Sequence, residues 1–68
     1  MDMNFETSVW LIRRKVTWMN EYHEALFTFT DYLPKCWHDR QSAENNMPGM
    51  AYMGDHVIEY TPVEFPFA

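Results

Sequence analysis

Cys36, His38, His23 and His56 are the soft and borderline metal donors of this 68-residue chain, and Cys36-Trp37-His38 sets two of them on either side of a tryptophan. A structural zinc site takes its ligands from paired, closely spaced Cys and His units. A single such unit matches no zinc module. A thiolate beside an imidazole is also the core of cysteine nucleophilic catalysis, but the pair needs a supporting shell that so short a chain hardly offers. The chain is therefore expected not to be an enzyme, with Cys36 a small buried residue and the histidines polar groups at the surface or an interface.

Met47, Met50 and Met53 recur at every third residue, and His56 continues the interval. Thioethers are soft ligands suited to Cu(I), so this segment resembles in outline the methionine motifs of copper-handling proteins. Methionine is equally a flexible filler of cores and adaptable binding surfaces. The expectation is no cofactor and no resident metal, with Cu(I) binding through Met47, Met50, Met53 and His56 as an alternative. Arg13-Arg14-Lys15 is the one basic cluster. Three consecutive residues spread around most of a helical turn, so they balance Glu21, Glu24 and the acidic second half better than they form a phosphate site.

The elements that would position these residues begin with an apolar stripe. Phe5, Val9, Ile12, Val16, Met19, Leu26 and Leu33 follow intervals of three and four, with His23 and Thr30 in the gaps, and this spacing predicts one amphipathic helix over about 4–33. Asn4 is its N-cap, Glu6 lies in its first turn, and Pro34 forces Leu33 out of the helical region. Such a helix would run about 45 Å. A competing reading pairs strands near 8–18 and 25–32, because Val9-Trp10-Leu11-Ile12 and Phe27-Thr28-Phe29-Thr30 are rich in β-branched and aromatic residues. Met19 to Leu26 counts against it, having no Gly or Pro for a tight hairpin turn. After Pro34 a short second helix is expected over about 35–44, with Cys36, Trp37 and Arg40 sharing one side. A loop follows at Asn45-Asn46-Met47-Pro48-Gly49.

Residues 57–68 read as a C-terminal strand or extended tail. Pro62 and Pro66 remove donors, which suits an edge, and Val63, Phe65 and Phe67 alternate along one side. The fold class is then mainly α in one small domain over 1–68. A small α+β domain with an N-terminal β-hairpin is the alternative.

Chains of this size obtain only about 3 to 5 kcal/mol from their own core, and a lone cysteine denies this one a disulfide of its own. Some partner is expected. The beginning of the sequence is acidic where a secretory leader would be basic, and no stretch approaches the roughly 20 apolar residues of a membrane helix, so a soluble cytoplasmic protein without a membrane partner is expected. Ten carboxylates stand against five basic residues, a net −5; residues 1–40 carry −1 and residues 41–68 the other −4. That balance excludes direct nucleic-acid binding, which needs cations against phosphate. It suits the basic surface of another protein, including one that normally holds nucleic acid.

Aromatic residues make up 18% of the chain, and interfaces concentrate Trp, Tyr, Met and Arg. Trp18, Tyr22 and Phe29 fall at helical spacing and read as packing residues. Trp10, Phe27, Tyr32 and Trp37 fit that inner side less well, and of these Trp10, Tyr32 and Trp37 are the candidate anchors, joined by Asp55, Glu59, Glu64, Phe65 and Phe67 from the acidic second half and the tail. In size and charge alone, the chain resembles the small acidic proteins that bacterial viruses make to block a host or defence factor. That resemblance implies a non-catalytic inhibitor acting on a larger protein in the host cytoplasm. The alternatives are an accessory subunit or assembly factor of a larger complex, and a homodimer formed through the helix stripe.

Overall fold

A computed structural model describes residues 8–66, so the expected cap at Asn4, the first-turn Glu6, the stripe residue Phe5 and the tail residue Phe67 lie outside the described residues. The chain runs β1 (Ser8–Met19), β2 (Ala25–Trp37), α1 (Arg40–Asn45), β3 (Ala51–Tyr52) and β4 (His56–Pro66). Among the described residues these strands make one antiparallel sheet in the order β2-β1-β4-β3. The mainly α expectation is overturned: residues of the proposed helix over 4–33 form a long β-hairpin, and with that helix goes the dimer along its stripe.

The physical reason lies in side-chain shape and in one turn. A long helix depends on tertiary burial of its stripe, whereas Val9, Ile12, Val16, Thr17, Phe27, Thr28, Phe29 and Thr30 are branched or aromatic and pack readily on a pleated surface. The turn that seemed to be missing is built by an asparagine. Asn20 Oδ1 accepts from the backbone N–H groups of Tyr22 (2.8 Å) and Glu24 (3.0 Å), while Asn20 N–H donates to Glu24 O at 2.9 Å. Its side chain thereby imitates a backbone turn. His23 takes the left-handed conformation at φ 64°, so no glycine is needed there. Between β3 and β4, Met53 N–H donates to His56 O at 2.9 Å and leaves Gly54 (φ 89°) and Asp55 as a two-residue loop.

Pro34 marks a bulge rather than a helix end. Leu11 pairs with Cys36 and Arg13 with Tyr32, so Ile12 alone faces the three residues Leu33, Pro34 and Lys35. An edge strand at a bulge is where a residue without an N–H is tolerated. The second expected helix is displaced: Lys35, Cys36 and Trp37 close β2, and α1 begins at Arg40. Asp39 caps it by accepting from Ser42 N–H at 2.7 Å. β4 pairs with β1 from Ser8↔Pro66 through Trp18↔His56, and β3 covers only Ile58 and Val57 on its other side. Pro62 and Pro66 therefore sit where β4 has no outer neighbour.

Strand alternation gives β1 two faces. Ser8, Trp10, Ile12, Arg14, Val16 and Trp18 point to one, called the helix face because Arg40 of α1 lies over Trp10. Val9, Leu11, Arg13, Lys15 and Thr17 point to the other, the open face. The apolar residues buried among those described are Ile12, Val16 and Ala43. The Cα radius of gyration is 15.4 Å, against about 11 Å for a compact domain of this length. The molecule measures 57 × 24 × 15 Å, long and one sheet thick over most of its length.

With so small a core, Ile12→Ala should cost about 2 to 5 kcal/mol, comparable to the whole expected stability, and leave the chain largely unfolded by far-UV circular dichroism. Asn20→Ala should lower the denaturation free energy by about 1 kcal/mol, read from the urea midpoint. An unchanged midpoint would remove the asparagine turn as a support of the hairpin.

Candidate functional site

The helix face is covered at one end only. At the covered end Trp10 and Trp37 are register partners across β1 and β2, and the Arg40 guanidinium lies 5.8 Å from the Trp10 ring centre, within the range of cation–π attraction. Trp10 also pairs with Glu64 of β4, whose carboxylate accepts from Ser8 Oγ at 2.6 Å. A helix of six residues spans about 9 Å and does not reach the other end.

At that other end three rings from three strands form a row. Trp18 pairs with Phe27 on β2 and with His56 on β4. The Trp18 and His56 rings stack at 4.2 Å between centres and 29° between planes, and Trp18 and Phe27 stand 6.3 Å apart at 19°. Offset stacking of this kind adds to area burial. The next rung is Phe29, Val16 and Ile58. Phe27 and Phe29 remain 57% and 46% exposed. His56 Nδ1 lies 2.7 Å from Asp55 Oδ1, which sets a carboxylate beside the row. The rung after that is polar: Arg14 and Asp31 form a two-pronged ion pair, with one N–H···O at 2.8 Å, and Tyr60 is Arg14's partner on β4.

No pocket indents the described surface, so what the row offers is a platform of stacked rings with no cavity beside it. No family model, curated protein or solved structure matches this chain. The geometry is thus the ground on which function is argued.

The expected site residues do not converge on one place. Tyr32 and Phe65 meet on the open face, ring centres 5.3 Å apart and edge to face. Trp10, Trp37 and Glu64 share the covered end of the helix face. Glu59 pairs with Lys15 in mid-sheet on the open face, and Asp55 lies in the β3–β4 loop at the far end. Phe67 lies outside the described residues. Cys36, expected to be buried, is exposed, because a strand at the sheet edge replaces the helix that would have hidden it. Trp37 and Cys36 alternate on opposite faces, so Trp37 lies on the helix face with Arg40 while Cys36 lies on the open face. Met50 and Met53 flank the two-residue β3, both well exposed, while Met47 is half-buried in the preceding loop. The His56 ring is engaged by Trp18 and Asp55. Among the described residues no three His, Cys, Asp or Glu side chains group as a metal cluster.

Arg13, Arg14 and Lys15 alternate across the sheet, so the basic run is divided between two faces. The platform itself was the feature missed. Phe27-Thr28-Phe29-Thr30, read at a period of two, puts both phenylalanines on one face, a signal that the helical period of the stripe obscured.

Two carboxylates titrate below their usual range. The hydrogen bond from Arg14 holds the Asp31 carboxyl down, and the backbone N–H of Ser42 does the same for Asp39. Unfolding releases both to the ordinary value near about 3.9, so the unfolded chain binds more protons in the interval between. The stability they contribute is complete above that value and is lost as pH falls through the lowered native values. Thermal melts from roughly pH 6 to about pH 2 should show a flat melting temperature followed by a decline below the ordinary carboxylate range. Asp31→Asn should flatten part of that decline; an identical acid profile in this variant would remove the ion pair as its source.

Proposed function

We propose that this chain is a non-catalytic protein-binding module, a small acidic inhibitor that occupies a functional or nucleic-acid-binding surface of a larger protein. The observation that carries this reading is the aromatic row of Phe27, Trp18 and His56, with Phe29 beside it, in which the two phenylalanines stand open to solvent on a sheet one layer deep. Binding sites draw most of their energy from a few large aromatic anchors surrounded by near-neutral contacts. Aromatic surface without a pocket suits a macromolecular partner better than a small substrate.

Charge narrows the partner's chemistry. At net −5, with Asp55 beside His56, the platform favours arginine and lysine side chains, which lie well on phenyl rings such as the exposed Phe27 and Phe29 and are drawn in by the acidic field. The same sign disfavours phosphate. The small core of Ile12, Val16 and Ala43 favours one further reading, an accessory subunit that completes its stability inside a larger complex.

Affinity capture from cell extract tests the platform. Proteins retained by the wild type should be released by rising salt and should bind the Phe27→Ser/Phe29→Ser double variant about thirty-fold or more weakly, as expected for anchors worth about 2 kcal/mol. Met50→Ser, at an exposed site away from the row, should keep them. Equal retention by the double variant would place the docking surface elsewhere. A wild-type chain that folds only when co-expressed with its captured protein would favour the accessory subunit.

A further inference from the structure

We infer that two copies of this chain pair edge to edge through β2 at Phe27, Thr28 and Phe29, making one continuous antiparallel sheet about a two-fold axis. This does not rest on the proposed function. It comes from the difference between the two edges of the sheet. Exposed edges invite pairing with another chain and are normally blunted by charge, proline, bulges or short strands. The β4 edge is blunted: β3 covers Val57 and Ile58, and the rest carries Glu59, Pro62, Glu64 and Pro66. The β2 edge is blunted only at its ends, by an extra residue at Leu26 and by the bulge at Leu33, Pro34 and Lys35.

Between those bulges the register with β1 is regular, from Trp18↔Phe27 to Arg13↔Tyr32. The segment reads Phe-Thr-Phe-Thr-Asp-Tyr, without lysine, arginine, proline or glycine. Its one charge, Asp31, is tied to Arg14. This neutrality points to a second copy as the occupant. A chain of net −5 repels its own kind except where the local charge is cancelled, as the Arg14–Asp31 pair cancels it along this stretch. With one open edge per molecule, pairing closes at two copies; a growing fibre would need the blunted β4 edge as well.

The segment is self-complementary about Thr28. An antiparallel two-fold pairing centred there sets Phe27 opposite the second copy's Phe29 and Phe29 opposite its Phe27 on the helix face, with the two Thr28 side chains facing each other on the open face. Centring on Phe29 instead would place Phe27 against Asp31 on both sides of the axis and leave one aromatic pair, Phe29 with Phe29, in place of two. Cross-strand aromatic pairs are among the stabilising contacts of sheets, and like charges directly opposite each other are destabilising.

That symmetry provides the test. Thr28 is exposed, and its one side-chain hydrogen bond, to Thr17, is long at 3.4 Å, so replacing it leaves the hairpin intact. Sedimentation velocity should give the wild type twice the 8.2 kDa chain mass in a concentration-dependent equilibrium. Thr28→Lys and Thr28→Glu, each alone, should sediment as folded monomers with the wild-type circular dichroism spectrum, because each sets like charges across the axis. Mixing the two variants should restore a one-to-one heterodimer that weakens with salt. A wild type that stays monomeric at every concentration, a Thr28→Lys variant as dimeric as the wild type, or a mixture that fails to pair would each overturn the inference.

Discussion

β1 is the strand that has a neighbour on both sides along most of its length, and the rest of the molecule is placed by it. Its pairing with β4 is uninterrupted from Ser8 to Trp18, which fixes which residues share the helix face. Its pairing with β2 is regular only between two bulges. The burial of Ile12 follows from this arrangement: it lies where β2 bulges around it and where α1 comes down on the sheet. A one-residue slip of β1 would turn Ile12, Val16 and Trp18 to the open face and bring Arg13 and Lys15 to the helix face, one of them into the buried place of Ile12 or Val16. The register is thus held by the cost of burying those charges as much as by the apolar residues themselves.

Local chemistry supports that register at each end. At the hairpin end Asn20 supplies the acceptor that orders the turn, and Nδ2 of the same side chain donates to Glu24 Oε1 at 2.9 Å. At the helix end Asp39 starts α1, and the Arg40–Glu44 pair at 2.8 Å lies one turn apart along it. Exposed pairs of this kind contribute little individually. Their effect is positional, bringing Arg40 over Trp10 and Ala43 against the sheet.

Much of the local structure was legible in the sequence, and the fold class was not. Val57 to Tyr60 read as a strand, and prolines 62 and 66 read as incompatible with a central position, both from backbone chemistry that holds in any context. The segment 8–37 was misread because Val9, Ile12, Val16 and Met19 satisfy a helical period while Trp10, Ile12, Val16 and Trp18 also fit an alternating one. Single apolar positions cannot separate the two periods in so aromatic a stretch. What decides is the turn, and the information there was carried by an Asn side chain and a left-handed His23 instead of the expected glycine. Of the chosen site residues, Trp10 and Trp37 come together as register partners, and Tyr32 and Phe65 meet through their rings across β1 on the open face. Trp18, Phe27 and His56 stand 9 and 29 residues apart in sequence, and only the three-strand register unites them.

The pairing of Ser8 with Pro66 gives the molecule two unlike ends. Both ends of the described chain leave the sheet together, beside the tryptophan pair and α1, while the aromatic row and both hairpin loops lie at the opposite pole. For the same reason a short link from Pro66 back to Ser8, with a new opening at Gly54 and Asp55, would keep each strand pairing while reversing the order in which β1 and β4 are made.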